Sequence, residues 1–423
     1  MTNVLLVIGY NNTRIYDVIK IRNIAKEVKN ASIVLCKKSP TKEDIDVVDY
    51  TIDVDLTQDA KNLNIVLDFL KNHTLNVIGV LPFSDPGTQL GSILSNHFNL
   101  KGHNPTKIKA ALDKKLFREI ENNQENLPNW YQKINSYPIH SFEDLKSLCE
   151  KHNNQLFLKP IQEGNSRGCI NLATTKDIEL AWDLTKKYVT QGGLIVEDLI
   201  PKFSISNDVI AKEYSFDHVN GYSFITEKNN TKDGFEYEYI VPAPLEKSLE
   251  EKLKTAGKFI ADLVGYNGSA CHNELVLSSQ NVIAVEPNIR PAGAKIWDSA
   301  SIAFKDFDPF KEWILWSCKD INKQNINKNL NLNFYCGVRF FQAPKTGTLS
   351  SLIETDQINQ MLSQDTFFVD INFSKKIKDT VKHILQDNSD FIGSITLKSK
   401  NYPSLKNNLQ KVSDFVEKNI VIN

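Results

Sequence analysis

The sequence is poor in the features that mark secreted, membrane or nucleic-acid-binding proteins. Its six cysteines (Cys36, Cys149, Cys169, Cys271, Cys318 and Cys336) form no CxxC pair and no zinc-type cluster. Scattered thiols in a long chain fit a reducing compartment better than a disulfide framework. Lys plus Arg (50) nearly equal Asp plus Glu (51), so no general polycation exists to hold nucleic acid or an anionic membrane. No apolar run approaches the roughly 20 residues of a membrane span. The opening MTNVLLVIGYNN has no basic n-region. Together these absences point to a cytoplasmic protein with small-molecule partners. The turn after the first apolar run, Gly9-Tyr-Asn-Asn-Thr13, is no GxGxxG, which argues against a dinucleotide oxidoreductase. No Gly-Lys-Ser/Thr opens a helix, so there is no Walker A loop.

What is present is alternation. A chain of 423 residues suggests two to four domains. Apolar runs at 4–8, 32–36, 50–54 and 77–81 read as strands, separated by helical stretches at 14–29 and 60–72. Continuous apolar strands alternating with helices imply a parallel sheet covered on both faces. Ligands of such sheets sit beyond the strands' carboxyl ends. The segment 82–88 lies there, and reads equally as a site wall or as a helix start. A helix is expected over 106–120. A small α+β unit follows: helix 141–152, strands 155–160, 169–173 and 193–197, and helix 177–190. Antiparallel strands (213–226), a helix (249–263) and two more strands (274–277, 282–286) come next. The expected units are 1–105, 106–198, 199–330 and 331–423.

Four clusters carry chemistry. In the first, a strand delivers Lys159 and runs into a loop with Gly164, Ser166, Arg167 and Gly168. Glycines permit close backbone approach to phosphate, and a cation offsets its charge. The same residues read as a plain hairpin with exposed charges. In the second, His272-Asn-Glu274 precedes a strand ending Glu286-Pro-Asn288-Ile-Arg290. Period-two spacing sets Glu286, Asn288 and Arg290 on one face while the segment stays extended. Glu274, Glu286 and Asn288 supply hard oxygens of the kind Mg²⁺ prefers. Arg290 could stabilise a transferring phosphoryl group. His272 shares Glu274's side of the strand. In the third, Lys114 and Arg118 share a helix face, which alone reads as a solvated surface. In the fourth, an apolar strand breaks at Glu197-Asp198-Leu199 and could offer backbone groups to an adenine edge.

The order of these clusters resembles the ATP-grasp superfamily, specifically the carboxylate–amine ligases that include bacterial L-amino-acid ligases. Asp113, Lys114 and Arg118 match its early Asp-Lys with a nearby Arg. Lys159, Pro160 and Ser166–Gly168 match its strand and loop, and residues 195–199 its hinge. A Glu-Tyr-Ser-x-Asp stretch follows at 213–217, and then His272, Glu274, Glu286, Asn288 and Arg290. Residues 343–349 resemble the C-terminal lobe of that subgroup. The hinge departs from the pattern in carrying extra residues between Glu197 and Glu213. The resemblance implies an α/β and α+β architecture: an N-terminal parallel-sheet (pre-ATP-grasp) domain, a small α+β lid and a C-terminal antiparallel sheet. It implies ATP and Mg²⁺, with Mn²⁺ as an alternative. Lys114, Lys159 and the loop 164–168 would hold the phosphates, Glu197–Leu199 the base, and Glu274, Glu286 and Asn288 the metal. Arg290 and His272 would be catalytic. The reaction implied joins a carboxylate, activated as an acyl phosphate, to an amine; amino acids are candidate substrates and a homodimer a candidate assembly. Alternatives are related chemistry on bicarbonate or formate, or a non-catalytic nucleotide-binding protein.

Overall fold

The computed structural model describes residues 1–10, 14–164, 166–175, 177–200, 211–231, 234–279, 281–319, 327–353, 356–386 and 388–423. Strands β1 (Thr2–Ile8), β2 (Ser32–Lys37), β3 (Tyr50–Asp53) and β4 (Leu75–Pro82) form a sheet of order β3-β2-β1-β4. All its pairings are parallel. Leu5 and Val7 enter one apolar cluster while Val4, Leu6 and Ile8 enter another, so the unbroken apolar run reflects burial on both faces. A short helix Lys42–Val47, absent from the sequence expectation, is fixed by a capping box between Thr41 and Asp44. Segment 82–88 leads into helix Gly87–His97, as its helix-start reading required.

The helix expected over 106–120 is broken. A 3₁₀ turn (Ile108–Ala111) and a separate helix (Lys114–Asn122) replace it. Asp113 is the reason: its backbone is extended and its side chain accepts the Leu116 N–H, so it caps a new helix and places Lys114 at the first position.

A second sheet holds β5 (Ser136–Ile139), β6 (Leu156–Pro160), β7 (Ile170–Asn171) and β8 (Leu194–Asp198) in the order β5-β8-β6-β7, all antiparallel. Helix Phe142–Lys151 starts at the expected Ser141, with Asp144 completing a capping box. The helix expected to reach 190 stops at Thr185 and tightens into a 3₁₀ turn, Lys186–Val189.

The third sheet contains β9 (Ala211–Val219), β10 (Tyr222–Asn230), β11 (Glu236–Val241), β12 (Ala270–Ser278), β13 (Asn281–Glu286) and β14 (Tyr335–Phe341). The C-terminal segment adds β15 (Gly347–Ser351), β16 (Thr366–Phe373), β17 (Thr380–Val381), β18 (Gly393–Ser399) and β19 (Val421–Ile422). The large sheet runs β13-β12-β9-β10-β11-β14-β18-β16, with β17-β15-β19 beside it. Pairing of β11 with β14 carries one sheet straight across residue 330. Helix Lys247–Leu263 packs on this sheet, and a Cβ on its Gly257 would lie 2.2 Å from the Phe216 side chain. Trp297 and Trp313, both about 1% exposed or less, join the parallel sheet to the large unit. Truncating such a tryptophan to Ala costs about 3–5 kcal/mol. Among the described residues, no helix is long and apolar enough to cross a membrane.

Candidate functional site

The second and third sheets face each other across a cavity with about 710 Å³ of empty space, part of it open to solvent. On one wall, β6 carries Lys159 and the neighbouring β8 carries Glu197. Lys159 Nζ lies 2.6 Å from Glu197 Oε2. Arg118 Nε donates to Glu197 Oε1 at 2.6 Å, and Arg118 Nη1 to Glu121 Oε2 at 2.8 Å. Arg118 Nη2 also donates to the Ala284 and Val285 carbonyls, each at 3.0 Å. Arg118 is therefore buried between three elements, which corrects its reading as a solvated helix residue. Periodicity puts a residue on a face but does not say what covers that face. Burial raises the Glu197 carboxyl, but Arg118 and Lys159 outweigh it and hold its pKa at about 2.

Lys114, at the start of its helix, donates to the Glu163 carbonyl at 2.8 Å and pairs with Glu286 Oε2 at 3.1 Å. Burial pulls its pKa down, yet Glu286 reverses the direction and the net shift is upward. Glu286 on β13 is the register partner of Glu274 on β12, with a bulge after Glu274. This brings two of the three expected metal ligands together.

Opposite lies an arrangement not foreseen from sequence. Lys228 on β10, with no exposed side-chain surface, sits 2.6 Å from Glu274, 3.3 Å from Glu213 and against Glu236. Oxygens of Glu213, Glu236 and Glu274 all lie within 4.8 Å of one another. Burial lowers the Lys228 pKa, but the glutamates more than reverse this and keep it charged. A signal for the cluster existed. Glu213, Ser215 and Asp217 alternate with the aromatic Tyr214 and Phe216 on β9, and the register sets Lys228 beside Glu213. Among the described residues, seven carboxylates line the cavity (Glu163, Glu197, Asp198, Glu213, Glu236, Glu274 and Glu286) against two lysines, Lys114 and Lys159. A polyphosphate cannot face such a wall without added positive charge. The donor set is all hard oxygen, so the residues fit a Mg²⁺ ion.

No family model and no curated protein matches the sequence. Solved structures do match, over the whole chain. An L-amino acid ligase from Bacillus licheniformis superimposes with a TM-score of 0.74 at 16% identity, covering 100% of this chain and 99% of that one. A phosphoribosylglycinamide synthetase from Anaerococcus prevotii gives 0.65 at 17% identity, with 100% and 99% covered. The biotin carboxylase domain of the Hydrogenobacter thermophilus 2-oxoglutarate carboxylase, in complex with MgADP, ADP and bicarbonate, gives 0.63 at 14%, with 100% and 90% covered. This chain has the ATP-grasp fold.

Within that ATP-grasp frame, the remaining residues divide. Gly164 and Ser166 line the cavity, and a Cβ on Gly164 would meet nothing within 4 Å. Arg167 does not line it: its Nε pairs with Glu163 at 2.9 Å and half its side chain is exposed. Gly168 has φ +68°, and a Cβ there would lie 2.6 Å from the Tyr188 ring, so its freedom serves the turn. Glu197 and Asp198 line the cavity and Leu199 does not. The Asp198 and Leu199 N–H groups already donate to the Asn135 and Gln155 carbonyls, at 3.1 and 3.0 Å. Neither of these two N–H groups is therefore free for an adenine edge, because β8 is an inner strand of its sheet. The next lining residue is Ile200, and residues 201–210 of the hinge lie outside the described set.

His272 is 4% exposed and does not line the cavity. Its Nδ1 meets Asp217 Oδ1 at 2.7 Å and its Nε2 faces Glu274 Oε1 at 3.9 Å. Buried Asp217 also accepts from Ser215 and Thr226 at 2.8 and 2.7 Å. The hydrogen-bond partner of His272 is thus Asp217, and the ring faces Glu274 without bonding to it. Asn288 Nδ2 lies 3.4 Å from Glu286 Oε1, and the Asn288 N–H donates to Asn273, which in turn donates to the Gly257 carbonyl. Arg290 is one step outside the cavity lining. Its Nε lies 3.0 and 3.1 Å from the two Asp85 oxygens and its Nη2 3.3 Å from Asn288 Oδ1. Segment 82–88 thus reaches this arginine as well as starting a helix. Half-buried Arg14 donates to the Pro291 and Ala292 carbonyls and stacks on Phe83, anchoring the segment that carries Arg290. Residues 343–349 are absent from the lining of this cavity.

Proposed function

We propose that this protein is an ATP- and Mg²⁺-dependent ligase that activates a carboxylate as an acyl phosphate and couples it to an amine, forming an amide or peptide bond. The observation that carries the reading is convergence: Lys114, Lys159, Glu274 and Glu286 come from separate segments and line one cavity. Lys114 and Lys159 would bind the phosphates from two sides, and Glu274 and Glu286, with Asn288 behind them, would hold the metal. The bound metal would neutralise charge developing on the transferred phosphoryl group. A substrate carboxylate oxygen attacks the γ-phosphorus and ADP departs. The amine nitrogen then attacks the acyl carbon, inorganic phosphate leaves, and the nitrogen loses a proton. The chain contributes positioning and charge neutralisation. Arg290, steadied by Asp85, would face the acyl phosphate. The loop 164–168 would shield that intermediate from water.

The bacterial L-amino acid ligase similarity favours amino acids as substrates. The second reading, related chemistry on bicarbonate or formate, draws on the TM-score of 0.63 to the carboxylase domain, whose complex holds bicarbonate. Phosphate release with Mg²⁺ and ATP across amino-acid pairs, other carboxylate–amine pairs, bicarbonate and formate separates the two, with product mass naming the bond made. Release with bicarbonate alone would overturn the amide-forming assignment. Nucleotide binding with no release in any mixture would favour a non-catalytic role.

A further inference from the structure

Groups that would serve opposite halves of one ligand are bonded to each other in this structure. Lys114, a phosphate group's partner, pairs with Glu286, a metal's partner, at 3.1 Å. Lys228 pairs with Glu274 at 2.6 Å. We propose that these lysine–glutamate pairs make nucleotide and metal obligate companions, because each lysine stands in the place of the metal's charge. The inference rests on the nucleotide-site reading above.

The argument is electrostatic. A triphosphate arriving without a cation draws Lys114 away from Glu286 and leaves that carboxylate bare beside the phosphates. A cation arriving alone takes Glu286 and Glu274 and leaves the lysine ammoniums facing it. Only the two together give every charge a partner. The exchange is least costly at Lys114 and Glu286, whose side chains are 15% and 25% exposed, because a partly solvated pair loses less on parting than a fully buried one. At Lys228 the same exchange is partial, since Glu213 and Glu236 remain to hold the ammonium. Lys159 differs again: Glu197 keeps Arg118 when the lysine turns to a phosphate.

The distinguishing prediction is a change of opposite sign. Glu286→Gln removes the carboxylate that competes for Lys114 and repels phosphate. It should tighten metal-free ATP about tenfold, within the usual span of coupling between sites, while weakening ATP in saturating Mg²⁺. Lys114→Met should tighten Mn²⁺, used alone as a spectroscopic probe, and weaken ATP. Isothermal calorimetry with and without chelator, on full-length protein whose melting curve confirms folding, reads the nucleotide arms. Glu274→Gln is the second variant, with the same direction and a smaller size expected, because it removes a cavity-lining carboxylate that repels phosphate while Glu213 and Glu236 keep Lys228. Metal-free ATP affinity unchanged or weakened in both folded glutamine variants would overturn the proposal while leaving the nucleotide site standing. A wild-type protein that binds ATP in neither condition would overturn the site assignment and this proposal together.

Discussion

Lys159 and Lys114 look interchangeable in the sequence, yet their surroundings differ. Lys159 is 8% exposed and shares Glu197 with Arg118, a second cation that stays when the lysine moves. Lys114 is 15% exposed and, among the described residues, shares Glu286 with no other ion-paired cation, only with the amide of Asn288 at 3.4 Å. One wall of the cavity is a buried, doubly compensated ionic frame. The other is a looser pair whose carboxylate gains most from a metal. A lysine's value in such a site depends on what its partner is left with, and the two walls can be tested against each other on that basis.

The largest effect is expected at the exchangeable wall. Glu286→Ala should lower substrate-dependent ADP release by at least about 100-fold, the scale of losing one group that stabilises transition-state charge. Near-normal release by a folded variant would remove Glu286 from the metal site. Next comes the frame. Arg118→Met leaves buried Glu121 without its cation and Glu197 with Lys159 alone, and breaking a buried pair in this way costs about 3–5 kcal/mol. A denaturant midpoint close to wild type would show that the frame is not rigid. By contrast, Lys159→Ala should leave stability nearly intact, since Arg118 still answers Glu197, and weaken nucleotide binding about tenfold by calorimetry. If Lys159→Ala and Arg118→Met destabilise equally, the claimed difference between the walls is lost.

Acid provides a graded test of the same frame. Glu197 titrates near 2 when folded, against 4.5 ordinarily. Its contribution is present above about pH 4.5 and drains as pH falls toward 2. Buried His103 is held neutral by burial, its pKa lowered from 6.5 to about 3. The unfolded chain takes up that proton first, so stability starts to fall below pH 6.5. Melting temperatures measured from pH 7 to 3 should decline gently at first and more steeply below 4.5. Arg118→Met should blunt the steeper limb and leave the gentle one.

The N-terminal sheet was legible because its strands are unbroken apolar runs, a pattern that burial on both faces imposes. The lysine and glutamate pairs were legible through their order along the chain. Lys228 and Glu236 were not, because a polar residue in a hairpin looks solvated until another wall covers it. Arg118 failed for the same reason. Asp113 was read as part of a motif, although its local role is a cap that divides one expected helix and aims Lys114. Bonding of the hinge N–H groups depends on β8 being an inner strand, which is a matter of sheet order and leaves no mark in a five-residue segment. His272 and Arg290 stood out in the sequence, but their partners Asp217 and Asp85 lie 55 and 205 residues away, and no local pattern reports such pairings.

Arg167 marks the smallest effect and the boundary of the site. It stands in the phosphate loop between Ser166 and Gly168, and the motif alone makes it a phosphate ligand. Its guanidinium instead lies 2.9 Å from Glu163 Oε2, with the side chains 51% and 31% exposed. Exposed pairs contribute roughly 0.2–1 kcal/mol. Arg167→Ala should therefore shift stability by no more than about that amount and leave ATP affinity within about twofold, whereas Lys159→Ala, eight residues earlier, should not. A tenfold loss of affinity in Arg167→Ala would mean that the loop turns this arginine inward when nucleotide binds. The exposed wall would then rearrange more than its Lys114–Glu286 pair requires, and the contrast between a fixed and an exchangeable wall would have to include the loop.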